Sequence, residues 1–378
     1  MTGVDDLRCA LREIHGGAVA KRLLADILCW AERDGVLERM RRLSHFTEAD
    51  LCRTLDSDLG YALGAGNRRR MIRLLLCLLG ECGRLREADG TWAWRSEGSI
   101  HVLEADEESP PADGRSATDA QYGFFHRCLE SVPTYLRGGT SSVLFDQTHA
   151  AVWDSFLGCA EFQTCRSLLL ELMGIEQHPS CRFLDLCHGP GWGMEAAISR
   201  FPAIRVTAVD FTDVFRDTAR ARAERAQTSN RQRGHMAVPI TWVGPEQWHG
   251  FGDPLPFPDC AFDAVFFTCG DPYIPRPLRG AVYRELGRLL APGGRLGVLT
   301  RSCPDPGARH VPSFWLRVSA LAHDFAESVC AGWEGFAEAD DTIRLLVSAG
   351  FQGSINASGD MSLLDSSLWI LRKRCGDG

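Results

Sequence analysis

Apolar residues at Leu23, Leu24, Ile27, Leu28 and Leu37 recur at helical spacing, and the pattern predicts one amphipathic helix from about Val19 to Met40. In Phe46-Thr47-Glu48-Ala49-Asp50-Leu51, Thr47 stands where an N-cap belongs, ahead of a second short helix. A third is predicted from Asn67 to Leu79, with Met71, Leu74, Leu75 and Leu78 on one face. The stretch from Arg84 to Arg95 alternates about Asp89-Gly90, which is a hairpin signal. Residues Glu104 to Asp119 are acidic, contain proline and hold few apolar side chains, as an exposed linker does. Helical patterning resumes from Ala120 to about Gly174 and carries Tyr122, Phe124, Phe125, Tyr135, Phe145, Trp153, Phe156 and Phe162. From Cys181 onward short apolar runs alternate with helical segments: Arg182 to Leu186, Arg205 to Val209, Ile240 to Val243, Ala264 to Phe267 and Arg295 to Leu299. That alternation predicts a parallel sheet with helical crossovers.

Helix, helix, helix, hairpin is the order of a winged helix. The patterning therefore divides the chain into a mostly α-helical winged-helix-like domain over 1–103, a linker over 104–119, a helical connector over 120–174 and a Rossmann-like α/β domain over 175–378. At 378 residues, with 45% hydrophobic and 24% charged side chains, the composition is that of a globular protein. The longest apolar runs fall far short of the roughly 20 residues that cross a bilayer. No basic-then-apolar signal opens the chain, and a cytoplasmic location is expected. The 15 cysteines are scattered without a Cys-x-x-Cys pair, so reduced thiols are expected rather than disulfides. The net charge of −8 argues against a general nucleic-acid binder. Residues 1 to 115 carry 17 Arg plus Lys against 20 Asp plus Glu, and only Arg68-Arg69-Arg70 forms a cluster that phosphate could meet.

The chemically informative segment is Leu184-Asp185-Leu186-Cys187-His188-Gly189-Pro190-Gly191-Trp192-Gly193, in which a buried strand ends in an acidic residue and runs through a glycine turn into a helix. Glycines there let a ligand approach the backbone and bring the helix N-terminus beside it. Asp210, at the end of the second strand, can accept hydrogen bonds from both hydroxyls of a ribose. A dinucleotide site would require G-x-G-x-x-G. The order Asp185-x-Cys187-x-Gly189-x-Gly191 lacks that spacing and places an acid at the head of the loop, which suits a cationic ligand without phosphate.

This segment resembles the D-x-G-x-G-x-G loop of class I S-adenosylmethionine-dependent methyltransferases, with Cys187 in place of the first glycine. Phe262-Asp263-Ala264-Val265-Phe266-Phe267 is similar to that family's fourth-strand motif, and Leu289-Leu290-Ala291-Pro292-Gly293-Gly294-Arg295-Leu296 to the motif before its fifth strand. The whole chain resembles two-domain small-molecule O-methyltransferases with an N-terminal winged-helix dimerisation domain. The resemblance implies S-adenosylmethionine as cofactor, a homodimer and a small-molecule acceptor. It implies Asp185, Gly189 and Gly191 at the methionine end, Asp210 at the ribose and Phe211 beside the adenine. Glu246 or Gln247 would lie near the adenine amino group, and Thr268 and Cys269 beside the methyl group.

One departure bears on mechanism. Where those O-methyltransferases carry a His-Asp-Trp segment after the fourth strand, with the histidine as general base, this chain has Thr268-Cys269-Gly270-Asp271-Pro272-Tyr273. Asp271 is the catalytic candidate that remains. The acceptor is then an ionised carboxylate, or an acidic carbon or amine, or is served by a base from elsewhere; alternatively the cofactor is bound without methyl transfer, as in a decarboxylase, hydroxylase or pericyclase. A small-molecule-sensing regulator is the reading from another class. Candidates for contact with the acceptor are Trp153, Phe156, His126, His149 and His310, with His323 a further histidine and His188 held to shape the cofactor loop. No metal site is expected, since no two histidines stand at His-x-x-x-His spacing.

Overall fold

A computed structural model describes residues 18–64, 66–95, 118–175, 180–303, 314–356 and 366–374. Their contacts separate into two compact units, one formed by the chain up to Leu144 together with a later stretch that ends at Gly335 and carries the helix Phe314–Glu327, the other by the remainder from Phe145 on. The linker reading falls largely on 104–117, outside the described residues.

The first unit opens with α1 (Ala18–Arg33) and α2 (Val36–Leu43). The sequence predicts one helix here, but Gly35 takes φ +80°, a left-handed conformation that ends the first and restarts the chain in a new direction. The strand β1 (His45–Thr47) leads to α3 (Glu48–Leu59), whose N-cap is Thr47: its hydroxyl accepts from the Asp50 N–H at 3.2 Å, and the Asp50 carboxylate accepts from the Thr47 N–H at 3.0 Å. After α4 (Asn67–Glu81), the strands β2 (Leu85–Ala88) and β3 (Thr91–Trp94) meet in a hairpin across Asp89 and Gly90, both at positive φ as a tight two-residue turn needs. β1 pairs with the free edge of β3. The helix α5 (Asp119–Leu136) completes this part of the chain.

The second unit begins with α6 (Ala150–Leu157) and α7 (Ala160–Leu172). Next come β4 (Arg182–Leu186), α8 (Trp192–Arg200), β5 (Arg205–Val209), α9 (Arg216–Gln232), β6 (Thr241–Val243) and β7 (Phe262–Thr268). The helix α10 (Arg279–Leu289) and β8 (Leu290–Thr300) follow, then a short parallel pair, β9 (Ser302–Cys303) with β10 (Ala337–Glu338). The helix α11 (Phe314–Glu327) lies between them in sequence and belongs to the first unit, and α12 (Ala339–Ser348), β11 (Phe351–Asn356) and β12 (Ser367–Lys373) end the fold. The seven-stranded sheet runs β11-β12-β8-β7-β4-β5-β6, parallel from β8 to β6, with β12 antiparallel to β8 and β11.

Period-two alternation sorts the strand residues between the two faces. Leu184, Leu186, Val265, Phe267, Leu296 and Val298 join the core under α10, together with Tyr283 and Leu286. Asp185, Phe266 and Gly297 stand in register on the opposite face. There a Cβ at Gly297 would meet Met173 and Leu169, and one at Gly193 would meet Phe266 and Asp185, so α7 and α8 cover that row.

In the first unit α11 packs against α1, α4 and α5. Leu23, Leu24, Ile27, Leu74, Leu75 and Leu78 are all buried within the chain. These leucine faces are thus covered by a helix from far along the same chain. The arginine cluster is also spent internally. Arg68 donates to the carbonyls of Tyr135 (2.7 Å) and Gly139 (2.8 Å), Arg69 to Glu48 (2.8 Å), and Arg70 pairs with buried Asp324 of α11. Among the described residues no helix is long and apolar enough to cross a membrane.

Candidate functional site

The carboxyl ends of the parallel strands bring the predicted loop residues together. Asp185, one residue short of the end of β4, is 1% exposed, and its Oδ2 has no hydrogen-bond partner among the described residues. Burial pushes its carboxyl up to about 7, helped by the charge of Asp210 and opposed by Arg166 and the Met194 N–H. Asp210, just past β5 and 3% exposed, accepts the Gly189 N–H on Oδ2 at 2.9 Å and the Thr212 N–H on Oδ1 at 3.1 Å. Burial raises this carboxyl too, against His188 and those N–H groups. Asp210 therefore ties the glycine loop to the next strand as well as offering acceptor oxygens.

Backbone shape explains the loop's glycines, and also the cysteine among them. Cys187 sits at φ +55°, the left-handed region where a glycine would be free of strain, and Cys269, past the tip of β7, repeats this at φ +61°. A Cβ at Gly270 would stand 3.2 Å from that of Cys187, so the two strand tips lie side by side. Gly191 combines φ +88° with a close approach: a Cβ there would fall 2.8 Å from the Cα of Ala219 on α9. Gly191→Ala is expected to cost about 3 kcal/mol, joining left-handed strain to a backbone clash, and a urea midpoint lowered at unchanged slope is the measurement. A midpoint shift under roughly 0.5 kcal/mol would contradict the geometry.

The segment before α7 is fastened to this loop. Asp154 of α6 accepts from Trp192 Nε1 (2.9 Å) and from Arg222 Nη2 (3.0 Å), while Arg222 Nη1 donates to the Pro190 carbonyl (3.0 Å) and stacks on Trp192 at 3.6 Å. That clamp carries an aromatic set. Phe145 stacks on Trp153 (4.9 Å) and meets Phe211 (5.5 Å) and Tyr273 (5.2 Å) edge-on, and Trp153 contacts Phe156 at 6.2 Å. The apolar wall thus runs from Phe211, beside Asp210, to Tyr273, beyond the tip of β7.

Asp271 is 1% exposed and accepts a hydrogen bond from the hydroxyl of Tyr283 on α10. Burial and the Asp271 charge push the Tyr283 phenol well above its ordinary value.

A family model described as a methyltransferase domain matches residues 183–294. The match takes in β4 through the turn that opens β8. Demethylmenaquinone methyltransferase of Chlamydia trachomatis is 29% identical over 136 residues, which are 36% of this chain and 49% of that protein. The same-named protein of Listeria welshimeri is 29% identical over 154 residues, 40% and 58% of the two chains. The chain spans about half the length of these curated relatives. In structure it resembles the CurJ carbon methyltransferase (TM-score 0.61, 13% identity, 97% of this chain and 94% of that one). It also resembles an O-methyltransferase family protein from Burkholderia thailandensis (TM-score 0.52, 16% identity, all of both chains). At such identities the likeness is one of fold, and that fold is the α/β class I methyltransferase type predicted.

The matched segment holds Asp185, Gly189, Gly191, Asp210 and Phe211 around one loop, with Thr268 and Cys269 at the neighbouring strand tip. Glu246 and Gln247 are instead exposed, Glu246 facing Arg216 at 3.4 Å. The side chain after β6 that turns inward is Trp248, which meets Phe211 at 6.4 Å. His149 stands at the N-cap position of α6 without a side-chain cap, its ring 2.7 Å from Asp146. His126 belongs to the first unit, beside Asp26 and Glu130, and His323 is buried there against Phe125. His310 lies outside the described residues. Arg166, Arg222, Trp248 and Tyr283 were not singled out from sequence. A buried arginine on a helix has no local signature, and the Asp271–Tyr283 pair joins residues 12 apart.

Proposed function

We propose that this protein binds S-adenosylmethionine at the loop following β4 and transfers its sulfonium methyl to a small or medium-sized acceptor without a histidine general base. The observation that carries the reading is the orphaned, buried oxygen of Asp185 at the head of a glycine loop, a site that suits a cationic group. Asp185, Gly189 and Gly191 hold the amino-acid end, Asp210 the ribose hydroxyls, and Phe211 with Trp248 the adenine. When bound, the cofactor supplies an activated methyl whose C–S bond breaks as the bond to the acceptor forms, the electron pair leaving on neutral sulfur. What the chain contributes is position: the clamp fixes α6, and Phe145, Trp153, Phe156 and Tyr273 exclude water and orient an aromatic acceptor.

Asp271 serves this reading as a positioning residue, because its buried carboxylate is engaged by Tyr283. It holds the turn that carries Tyr273. The winged-helix reading of the first unit and a homodimer belong to the proposal on the resemblance alone, since the leucine faces are already covered.

Labelled cofactor offered with a panel of aromatic acceptors bearing hydroxyl, carboxyl, amino or acidic-carbon groups tests the reading. Transfer of label supports it; S-adenosylhomocysteine binding with no transfer to any acceptor would favour a non-methylating relative. With an acceptor in hand, Asp271→Asn and Tyr283→Phe are expected to lower kcat/KM alike, by about tenfold, leaving the pH profile unchanged in shape. A loss of more than about a thousandfold in Asp271→Asn, with Tyr283→Phe near wild type, would make Asp271 the base after all.

A further inference from the structure

A cavity of about 200 Å³ opens on the α10 side of the sheet, between that helix and the loop that follows β6. Leu186, Leu255, Val282 and Leu286 give it an apolar floor, and they belong to the core under α10, opposite the face to which Asp185 turns. Trp248 and Phe251 make one corner, their ring centroids 5.6 Å apart and their planes at 82°. Phe251 also packs edge-on against Phe267 at 5.9 Å, and the Trp248 indole N–H donates to the Asp253 carbonyl at 3.2 Å, so the corner is preformed. The rim is acidic. Asp253, exposed, and Glu285, partly buried, both line the cavity. Glu285 accepts from Arg288 at 2.6 Å, the hydrogen bond that holds its carboxyl below the usual carboxylate range, and from the Leu255 N–H at 2.9 Å. Arg288 divides its charge between Glu285 and Asp259 (2.8 Å), and the Asp253 carboxylate meets the ring of His249 at 2.9 Å. Three carboxylates thus share one guanidinium and one imidazole beside an aromatic-walled, apolar cavity. An apolar cavity of roughly 150 Å³ takes a benzene ring, so this one has room for a ring with a short polar arm. A neutral ring would leave the rim charge unanswered, and an anion would be repelled. A cation answers both halves, drawn to the ring faces by their quadrupole and to the carboxylates by charge-assisted hydrogen bonds.

We propose that this cavity binds an arylalkylammonium, its ring against Trp248 and Phe251 and its ammonium on Asp253 and Glu285. The proposal does not depend on how the loop after β4 is read. Trp248 is the wall that the two places share, because its indole also meets Phe211 at 6.4 Å.

Calorimetry on the full chain at about pH 7.5 and low ionic strength tests this, with benzylamine as the probe and benzyl alcohol as its neutral counterpart. Wild type is expected to bind benzylamine at least ~10-fold more tightly than the alcohol, and the gap should narrow in high salt, which screens an exposed rim. Asp253→Asn should weaken benzylamine ~5-fold and leave benzyl alcohol within ~2-fold. Ala281 lines the cavity from an exposed position on α10, so Ala281→Phe should fill the mouth and weaken both probes at least ~10-fold. A urea midpoint shared by the three proteins would show that these losses are local. Equal affinity of wild type for the two probes would overturn the recognition of charge. Binding that ignores Ala281→Phe would place the probe elsewhere, at the aromatic wall around Trp153 for instance, and would overturn the site. So would the absence of benzylamine binding up to ~10 mM.

Discussion

Asp185→Asn is expected to stabilise the ligand-free protein at pH 8 while reducing its affinity for S-adenosylhomocysteine by ~100-fold or more. A carboxyl held at about 7 against an ordinary 3.8 disfavours its charged form in the fold by about 4 kcal/mol. Because the folded value is the higher one, the contribution to stability is fully present below about pH 4 and is lost as pH rises through about 7. Asparagine has the same shape and never ionises, so it escapes that loss. Its amide hydrogens need partners that an orphaned oxygen did not, which returns 1–2 kcal/mol. A net gain of about 2 kcal/mol should therefore appear in urea unfolding at pH 8 and turn into a loss of about 1–2 kcal/mol near pH 4, where both states hold the proton and only the amide cost remains. The variant should also abolish the proton, close to one, that wild type releases at pH 6 when a ligand ammonium forces Asp185 to ionise; titrations in two buffers of different ionisation enthalpy measure it. A variant less stable than wild type at both pH values would show that the Asp185 charge is already compensated without ligand.

Asp210→Ala should be damaging twice over. The side chain accepts the Gly189 and Thr212 N–H groups in a site 3% exposed, so its removal orphans two buried donors at 1–3 kcal/mol each. Relief of its burial, which raises its pKa, offsets only part of that. Stability is expected to fall by about 3 kcal/mol, and S-adenosylhomocysteine affinity by at least ~100-fold, since loop shape and ribose acceptors go together. Asp210→Asn keeps one acceptor oxygen and should fall between. Calorimetric affinity of Asp210→Ala within a factor of about two of wild type would refute both roles.

The contrast between these carboxylates shows how far sequence reaches. The five parallel strands and the loop were legible because strands buried on both faces read as apolar runs, and positive-φ turns demand glycine at fixed offsets. Asp185 and Asp210 followed from their place at strand ends. The antiparallel pair β11 and β12 was not legible, nor was α11: Val318, Leu321, Ala322 and Phe325 keep helical spacing, but Ser319, His323, Asp324 and Glu327 are buried beside them, so polar residues sit where a solvent face would be expected. Glu246 and Gln247 were chosen by analogy with a third-strand motif, yet that loop turns Trp248 inward and leaves them in solvent. Arg166 was invisible for a simpler reason: on a helix an arginine reads as surface, and only packing reveals that it is not.

Because α11 completes the core around α1 and α4, the part of the first unit that precedes Leu144 cannot finish folding before α11 has been made. Arg70 lacks Asp324, and the leucine faces lack their cover, until the chain has been made beyond Gly335. At about 5–20 residues per second, the interval from Leu144 to that point is on the order of 10–40 s. Through that time the nascent amino-terminal half displays apolar surface while the α/β half is still being threaded out, a window in which holdase chaperones compete with association between neighbouring nascent chains. The order of synthesis thus runs against the order of assembly, and the last part of the first unit to be made is the part that closes it.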